Sequence, residues 1–175
     1  TANSANSKVD YENTPNSWTR TIYATDGTYT TTQEITLTIS DINDYVPNFG
    51  DFGTAGCWSH PENSTSICTI PVTDRDTVGT LSYQLSIYTN PNNPSDTRSG
   101  VEKLQIDSSG NLSFIAAPDY ENPQGHNDSL TYYYTLTVTD GENTATTQQS
   151  ISVTNVDEPA ELQMPAPYRD GTKDR

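Results

Sequence analysis

Residues 132–141 read Tyr132-Tyr133-Tyr134-Thr135-Leu136-Thr137-Val138-Thr139-Asp140-Gly141. Tyr132, Tyr134, Leu136 and Val138 fall on one parity, and Tyr133, Thr135, Thr137 and Thr139 on the other. Alternation of apolar and β-favouring polar side chains predicts a strand with one buried face and one wet face. Asp140-Gly141 then predicts a turn, since both residues tolerate positive φ. The pattern continues outward in both directions. Ile151 and Val153 sit between Ser150, Ser152 and Thr154. Leu81, Tyr83, Leu85 and Ile87 alternate with Ser82, Gln84 and Ser86, and Ile35, Leu37 and Ile39 with Thr36, Thr38 and Ser40. Asp26-Gly27 and Ser109-Gly110 supply further turns. Helix signals are almost absent. Many short strands at this spacing predict an all-β, Greek-key β-sandwich.

The chain repeats itself. Asp10-Tyr11-Glu12-Asn13 recurs as Asp119-Tyr120-Glu121-Asn122, and Ala24-Thr25-Asp26-Gly27 as Val138-Thr139-Asp140-Gly141. Ile39-Ser40-Asp41-Ile42-Asn43-Asp44 parallels Val153-Thr154-Asn155-Val156-Asp157-Glu158. The first block recurs at a shorter offset than the other two, which fits a longer loop over Pro123–Ser129 in the second copy. Three matched blocks in the same order imply tandem repeats of about 110 residues, a typical sandwich length. Residues 45–158 form a complete second repeat, and residues 1–44 hold only the C-terminal part of a first. That part carries two expected strands, Trp18–Ala24 and Gln33–Ser40. Two strands do not bury a core alone, so the missing strands are expected upstream or from another chain. Residues 159–175 read as a tail or the start of a next repeat. By the repeat, Trp18, Ile22 and Ala24 match Tyr132, Leu136 and Val138 and are expected to face inward. Arg20 falls where Tyr134 sits, and is expected to pair with an acid or to mark an exposed edge.

Composition narrows the function. Lys+Arg 8 against Asp+Glu 23 gives a net charge of −15 and a pI of about 4.1. Nucleic-acid binding is disfavoured, because phosphate neutralisation needs clustered Lys and Arg. Cations, basic surfaces and neutral polymers remain as partners. The hydrophobic fraction of 31% predicts a thin core. Low hydrophobicity with high charge is also the signature of disorder, but 11 Tyr and the ordered alternation argue against it. No run approaches the ~18 apolar residues of a membrane span. The chain starts at Thr1 without an apolar leader, as expected of a processed product or an excised fragment.

Cys57 and Cys68 are the two cysteines. An even count at short spacing in an acidic, Thr-rich chain predicts one disulfide clipping a local loop. Two free buried thiols, or a zinc site with His60, are the alternatives. Asn63, Asn111 and Asn127 head N-x-[ST] sequons and are candidate glycosylation sites. Cysteines and sequons together point to an extracellular location.

The matched blocks resemble those of the cadherin repeat family, including bacterial cadherin-like tandem repeats. Such domains carry an acidic residue near the first strand, DxD, LDxE and AxDx-type motifs, and a DxNDNxP-type linker. Here the second copy offers Pro61-Glu62-Asn63, Asp74-Arg75-Asp76, Asp119-Tyr120-Glu121 and Asp140, and the linker reads Asp41-Ile42-Asn43-Asp44-Tyr45-Val46-Pro47. The resemblance runs from Val9 to Pro159. It implies calcium-bound junctions between successive repeats, with three ions at each full junction. Asp10, Glu12 and Asp44 would hold the upper pair, Asp76 joining them for the second ion. Asn43, Asp74, Asp76, Asp140 and the Tyr45 carbonyl would hold the third. Asp41 lies one step before the linker's main ligands. Glu62, Asp119, Glu121 and Asp157 would serve a second junction, whose linker is shortened. Tyr45 replaces the linker's second Asn, where the family uses a main-chain carbonyl.

The chemistry agrees without the family. Ca²⁺ takes about 6–8 oxygen ligands. Asp10, Glu12, Asp41, Asp44, Asp74, Asp76 and Asp140 are seven carboxylates that end-to-end stacking would bring to one junction, where they would repel without a cation. Asp-Arg-Asp alone is more often a solvated loop. An EF-hand is excluded, because Asp74-Arg75-Asp76 lacks the third acid, the placed Gly and the terminal Glu.

Catalysis has little support. His60 and His126 are the two histidines, and neither a G-x-S-x-G nor a Gly-rich phosphate loop is present. The expected function is non-enzymatic: a calcium-stiffened extracellular rod for cell adhesion or protein–protein assembly. Its partners would be other cadherin-like repeats or identical subunits, with a filament built by strand complementation as a sharper version. The alternative is a carbohydrate-binding module with Trp58, Tyr133 and Tyr88 as its platform.

Overall fold

The computed structural model describes residues 10–159 apart from Thr14 and Pro91, so the expected tail lies outside the described residues beyond Pro159. Thirteen strands follow in order: β1 (Ser17–Thr25), β2 (Thr30–Thr38), β3 (Asn48–Phe49), β4 (Ser59–Pro61), β5 (Ser66–Thr69), β6 (Val72–Thr73), β7 (Ser82–Ser86), β8 (Tyr88–Asn90), β9 (Asn93–Arg98), β10 (Leu104–Ile106), β11 (Asn111–Phe114), β12 (Thr131–Thr139) and β13 (Thr144–Thr154). One 3₁₀ turn, Val101–Lys103, is the sole helical element among the described residues. Among the described residues no helix is long and apolar enough to cross a membrane.

The complete repeat is a sandwich. A four-stranded sheet ordered β4-β13-β12-β7 faces a three-stranded sheet ordered β10-β11-β5, with β3-β6 and β8-β9 as accessory pairs. The opening stretch becomes β12, whose even-numbered side chains are all buried: Tyr132, Tyr134, Leu136 and Val138. They pack with Ile151 and Val153 of β13 against Leu112 and Phe114 of β11. Phe114 meets Tyr132 edge-on at 5.0 Å between ring centres, the arrangement that aromatic quadrupoles prefer. Ile87 departs from its expected inward place and is 53% exposed. Strand β7 ends at Ser86, so the alternation stops one residue short of it.

Cys57 and Cys68 are joined, with Cα atoms 5.4 Å apart, which removes the free-thiol and zinc alternatives. The bond ties the segment before β4 to β5, and Cys57 lies wholly within the core. Beyond it, β4 runs parallel to β13, pairing Ser59 with Ser152 and Pro61 with Thr154. Ser152 N donates to Trp58 O at 2.9 Å, and Glu62 N to Thr154 O at 3.0 Å.

Strands β1 and β2 form a hairpin by themselves. Their register repeats that of β12 and β13 residue for residue: Trp18↔Leu37 matches Tyr132↔Ile151, and Ala24↔Thr31 matches Val138↔Ala145. Their turns are alike too. Asp26 Oδ1 accepts from the Thr28 and Tyr29 amides at 2.9 and 2.7 Å, as Asp140 Oδ1 accepts from Glu142 and Asn143 at 2.8 and 2.7 Å. The expected inward burial does not follow. Ile22 is 50% exposed and Leu37 64%, Ala24 is exposed and Trp18 half-buried. No second sheet faces this hairpin among the described residues. Arg20 is exposed and donates to Thr19 O at 3.1 Å.

Candidate metal centre

The junction is built from four pieces of chain that the sandwich brings to one end. They are the loop at Asp10–Asn13, the linker from Asp41 to Val46, the loop after β6, and the β12–β13 turn. Each is fixed locally by side chains bonding to nearby main chain, as Asp and Asn do at turns. Asp10 Oδ1 accepts from Glu12 N at 3.0 Å. Asp74 Oδ1 accepts from Asp76 N at 3.2 Å.

The linker is then tied to the sandwich. Tyr45 N donates to Asp76 Oδ2 at 2.9 Å, and Tyr45 Oη donates to Asp10 Oδ2 at 3.1 Å. Arg75 lies 4.2 Å over the Tyr45 ring, a cation–π contact, and donates to Asn13 Oδ1 of the first repeat at 3.1 Å. Asp41 Oδ2 accepts from the Thr77 amide at 2.6 Å and its hydroxyl at 2.5 Å. Gly79 lies beneath, and a Cβ there would fall 2.7 Å from Asn43 Nδ2 and 2.8 Å from Asp140 O. No larger residue fits at that point without displacing the linker.

Two carboxylate groups result. Glu12, Asp41 and Asp76 each offer an oxygen within 4.8 Å of the others, as do Asp74, Asp76 and Asp140. Asp76 belongs to both groups. Asp44 is exposed and belongs to neither. Asp10 is in neither group, and its Oδ2 accepts from Asn13 and Tyr45. Asn43 Oδ1 and the Tyr45 carbonyl both point to the Asn143 amide.

The electrostatics record the crowding. Burial pushes the Glu12 carboxyl up to about 7, with Asp10 and Asp41 adding to the rise. The Thr77 hydroxyl holds Asp41 below the usual carboxylate range. Burial alone would raise Asp140, but hydrogen bonds from the Asn143 and Glu142 amides leave it lowered. Glu12 Oε1, Asp41 Oδ1 and Asp76 Oδ1 are buried and have no hydrogen-bond partner. A buried acceptor left unpaired costs about 1–3 kcal/mol, and more when charged. Three carboxylates that approach one another within 4.8 Å, each with an unpaired oxygen, fit a divalent cation bound through oxygen.

A third acidic group, Glu62, Asp119 and Glu121, gathers at the opposite end. Its chemistry differs. Glu62 is buried, but its oxygens accept from Tyr120 N at 2.7 Å and Val156 N at 2.8 Å. Asn155 donates to Glu121 Oε1 at 3.0 Å, while Asp157 is exposed and outside the group.

Thr77 and Asn143 escape the motif reading. Thr77 directly follows Asp-Arg-Asp, and Asn143 closes the Asp140 turn three residues on. A hydroxyl and an amide beside carboxylate motifs were the available signals.

The expected aromatic platform is occupied. Tyr133 meets Tyr88 at 61° and His126 at 87°, and the Arg98 guanidinium lies 4.9 Å over its ring. Trp58 is 55% exposed and donates to Gln149 Oε1 at 3.3 Å. Tyr88 and Tyr133, inclined in this way, do not share one flat face. The three sequon asparagines are all exposed.

No family model matches the sequence, and no curated protein matches it significantly. Solved structures do. Mouse clustered PcdhgC3 EC1-3 matches with 20% identity over 85% of this chain and a TM-score of 0.56. Human Protocadherin-24 EC1-2 matches with 20% identity over 86% and a TM-score of 0.55. Drosophila N-cadherin EC1-4 matches with 18% identity over 85% and a TM-score of 0.51. The chain covers 46%, 69% and 34% of these structures in turn. By topology and by these likenesses, the chain has the fold of cadherin extracellular repeats.

Proposed function

We infer that this chain is a segment of an extracellular, non-enzymatic adhesion or assembly protein whose junction between residues 1–44 and 45–158 is stiffened by calcium. The buried, unpartnered oxygens of Glu12, Asp41 and Asp76 carry the reading. Glu12 belongs to the first repeat, Asp41 to the linker and Asp76 to the second, so one ion held there would crosslink all three. Asp74, Asp76 and Asp140, with Asn43 and the Tyr45 carbonyl, would hold the adjacent ion. Asp10 and Asp44 are proposed at the rim of the upper pair. Glu62, Asp119, Glu121 and Asp157 are proposed for a second junction.

A calcium titration of the chelator-stripped chain, followed by thermal unfolding, tests this. Free calcium at a hundred times Kd should stabilise the native state by about 2.7 kcal/mol. The rise in Tm should saturate, and should vanish in Asp74→Ala/Asp76→Ala. A flat response in the unaltered chain overturns the proposal.

The open hairpin face supports assembly as well. Trp18, Ile22 and Leu37 hold the register of the buried Tyr132, Leu136 and Ile151 without a facing sheet among the described residues. Completion by a neighbouring chain would extend the array by strand addition. Sedimentation should then show species that grow with concentration. A monomer at all concentrations would sink the assembly version and leave completion by upstream sequence.

A further inference from the structure

Asn143 reaches the same junction from the β12–β13 turn. Its Nδ2 lies 3.0 Å from Asn43 Oδ1, 3.0 Å from Tyr45 O, 3.4 Å from Asn43 O and 3.4 Å from Asp140 Oδ2. An amide nitrogen carries two hydrogens, so it cannot satisfy four oxygens at once. Four oxygens converging on one atom from a side chain, two main-chain carbonyls and a carboxylate is how a hard cation is held, not how an amide usually bonds. The approach is imposed by the fold. Asn143 N is pinned to Asp140 Oδ1 at 2.7 Å, and Gly79 closes the far side of the Asn43 amide.

We propose that the Asn143 amide is a built-in stand-in for the junction cation. Its NH₂ group gathers the Asn43 and Tyr45 oxygens while the cation is absent, and is displaced when calcium enters. This rests on the calcium reading above. Linkage then fixes the sign: contacts made only in the cation-free state oppose binding. Asn143 therefore holds the linker in order without calcium and lowers the affinity for it, setting the concentration at which the junction stiffens.

The test compares the unaltered chain, Asn143→Ala and Asp74→Ala/Asp76→Ala by calorimetric calcium titration, and by hydrogen exchange of the Asp44–Val46 amides in chelator. Asn143→Ala should bind calcium roughly fivefold more tightly, the loss of about one net hydrogen bond. In chelator its linker amides should exchange faster. Unchanged or weaker binding overturns the proposal; weaker binding would make Asn143 a ligand through its Oδ1. Unchanged exchange in chelator overturns it too. If the unaltered chain takes up no calcium, the calcium reading itself has failed and this proposal falls with it; that outcome is visible before any variant is compared.

Discussion

Ile151→Ala should cost about 2–5 kcal/mol of stability, the range for truncating a buried Ile or Leu. Leu37→Ala, at the same place one repeat earlier, should stay within about 0.5 kcal/mol, as exposed substitutions do. The two residues hold matching cross-strand positions, opposite Tyr132 and Trp18. Ile151 is wholly buried and Leu37 is 64% exposed. The difference lies in what faces them. Ile151 packs with Leu136 and Val153 beneath a second sheet, so truncation leaves a cavity as well as a lost transfer term. Leu37 has water on that side. Urea midpoints of the two variants measure this directly. A Leu37→Ala cost near that of Ile151→Ala would mean that the hairpin face is covered in solution.

Opening the Cys57–Cys68 bond should be nearly as severe. The cysteines lie 11 positions apart in sequence, and closing a loop of that size restricts the unfolded chain by about 2.8 kcal/mol. Cys57→Ala/Cys68→Ala keeps the buried position apolar, so its loss of stability reports the crosslink rather than an orphaned polar group. Strand β4 has three residues and begins two residues beyond Cys57, so it should lose protection first. Urea unfolding of the oxidised chain and the double variant, with hydrogen exchange at Ser59 and His60, checks both parts. Equal midpoints would show that the unfolded chain is already confined without the bond.

What the sequence made legible was whatever depends on near neighbours. Alternation in β12 and β13, the Asp-Gly turns and the duplicated blocks all rest on local periodicity and turn chemistry, and they recur at matching register. Burial of Trp18 and Ile22 was not legible, because inward is defined by a partner sheet rather than by the strand itself. Ile87 failed for a smaller reason: the strand ends one residue before it. At the junction, motif spacing pointed to Asp74, Asp76 and Asp140, which do meet. Asn143 and Thr77 had no signal of that kind. Their positions come from turn geometry and from contacts across long sequence separations.

The parallel pairing of β4 with β13 also bears on how the repeat carries load. The chain enters beside Ser59 and leaves beyond Thr154, on adjacent strands running the same way. Tension applied at the two ends therefore draws these strands past one another along their axes. The rungs from Ser152 to Trp58 and from Glu62 to Thr154 are strained together rather than opened one at a time. Just outside them the disulfide anchors the entry segment, and Glu62 grips the exit segment at Val156. The repeat yields to pulling by shear, the more resistant of the two modes, at the place where a neighbouring module would tug on it.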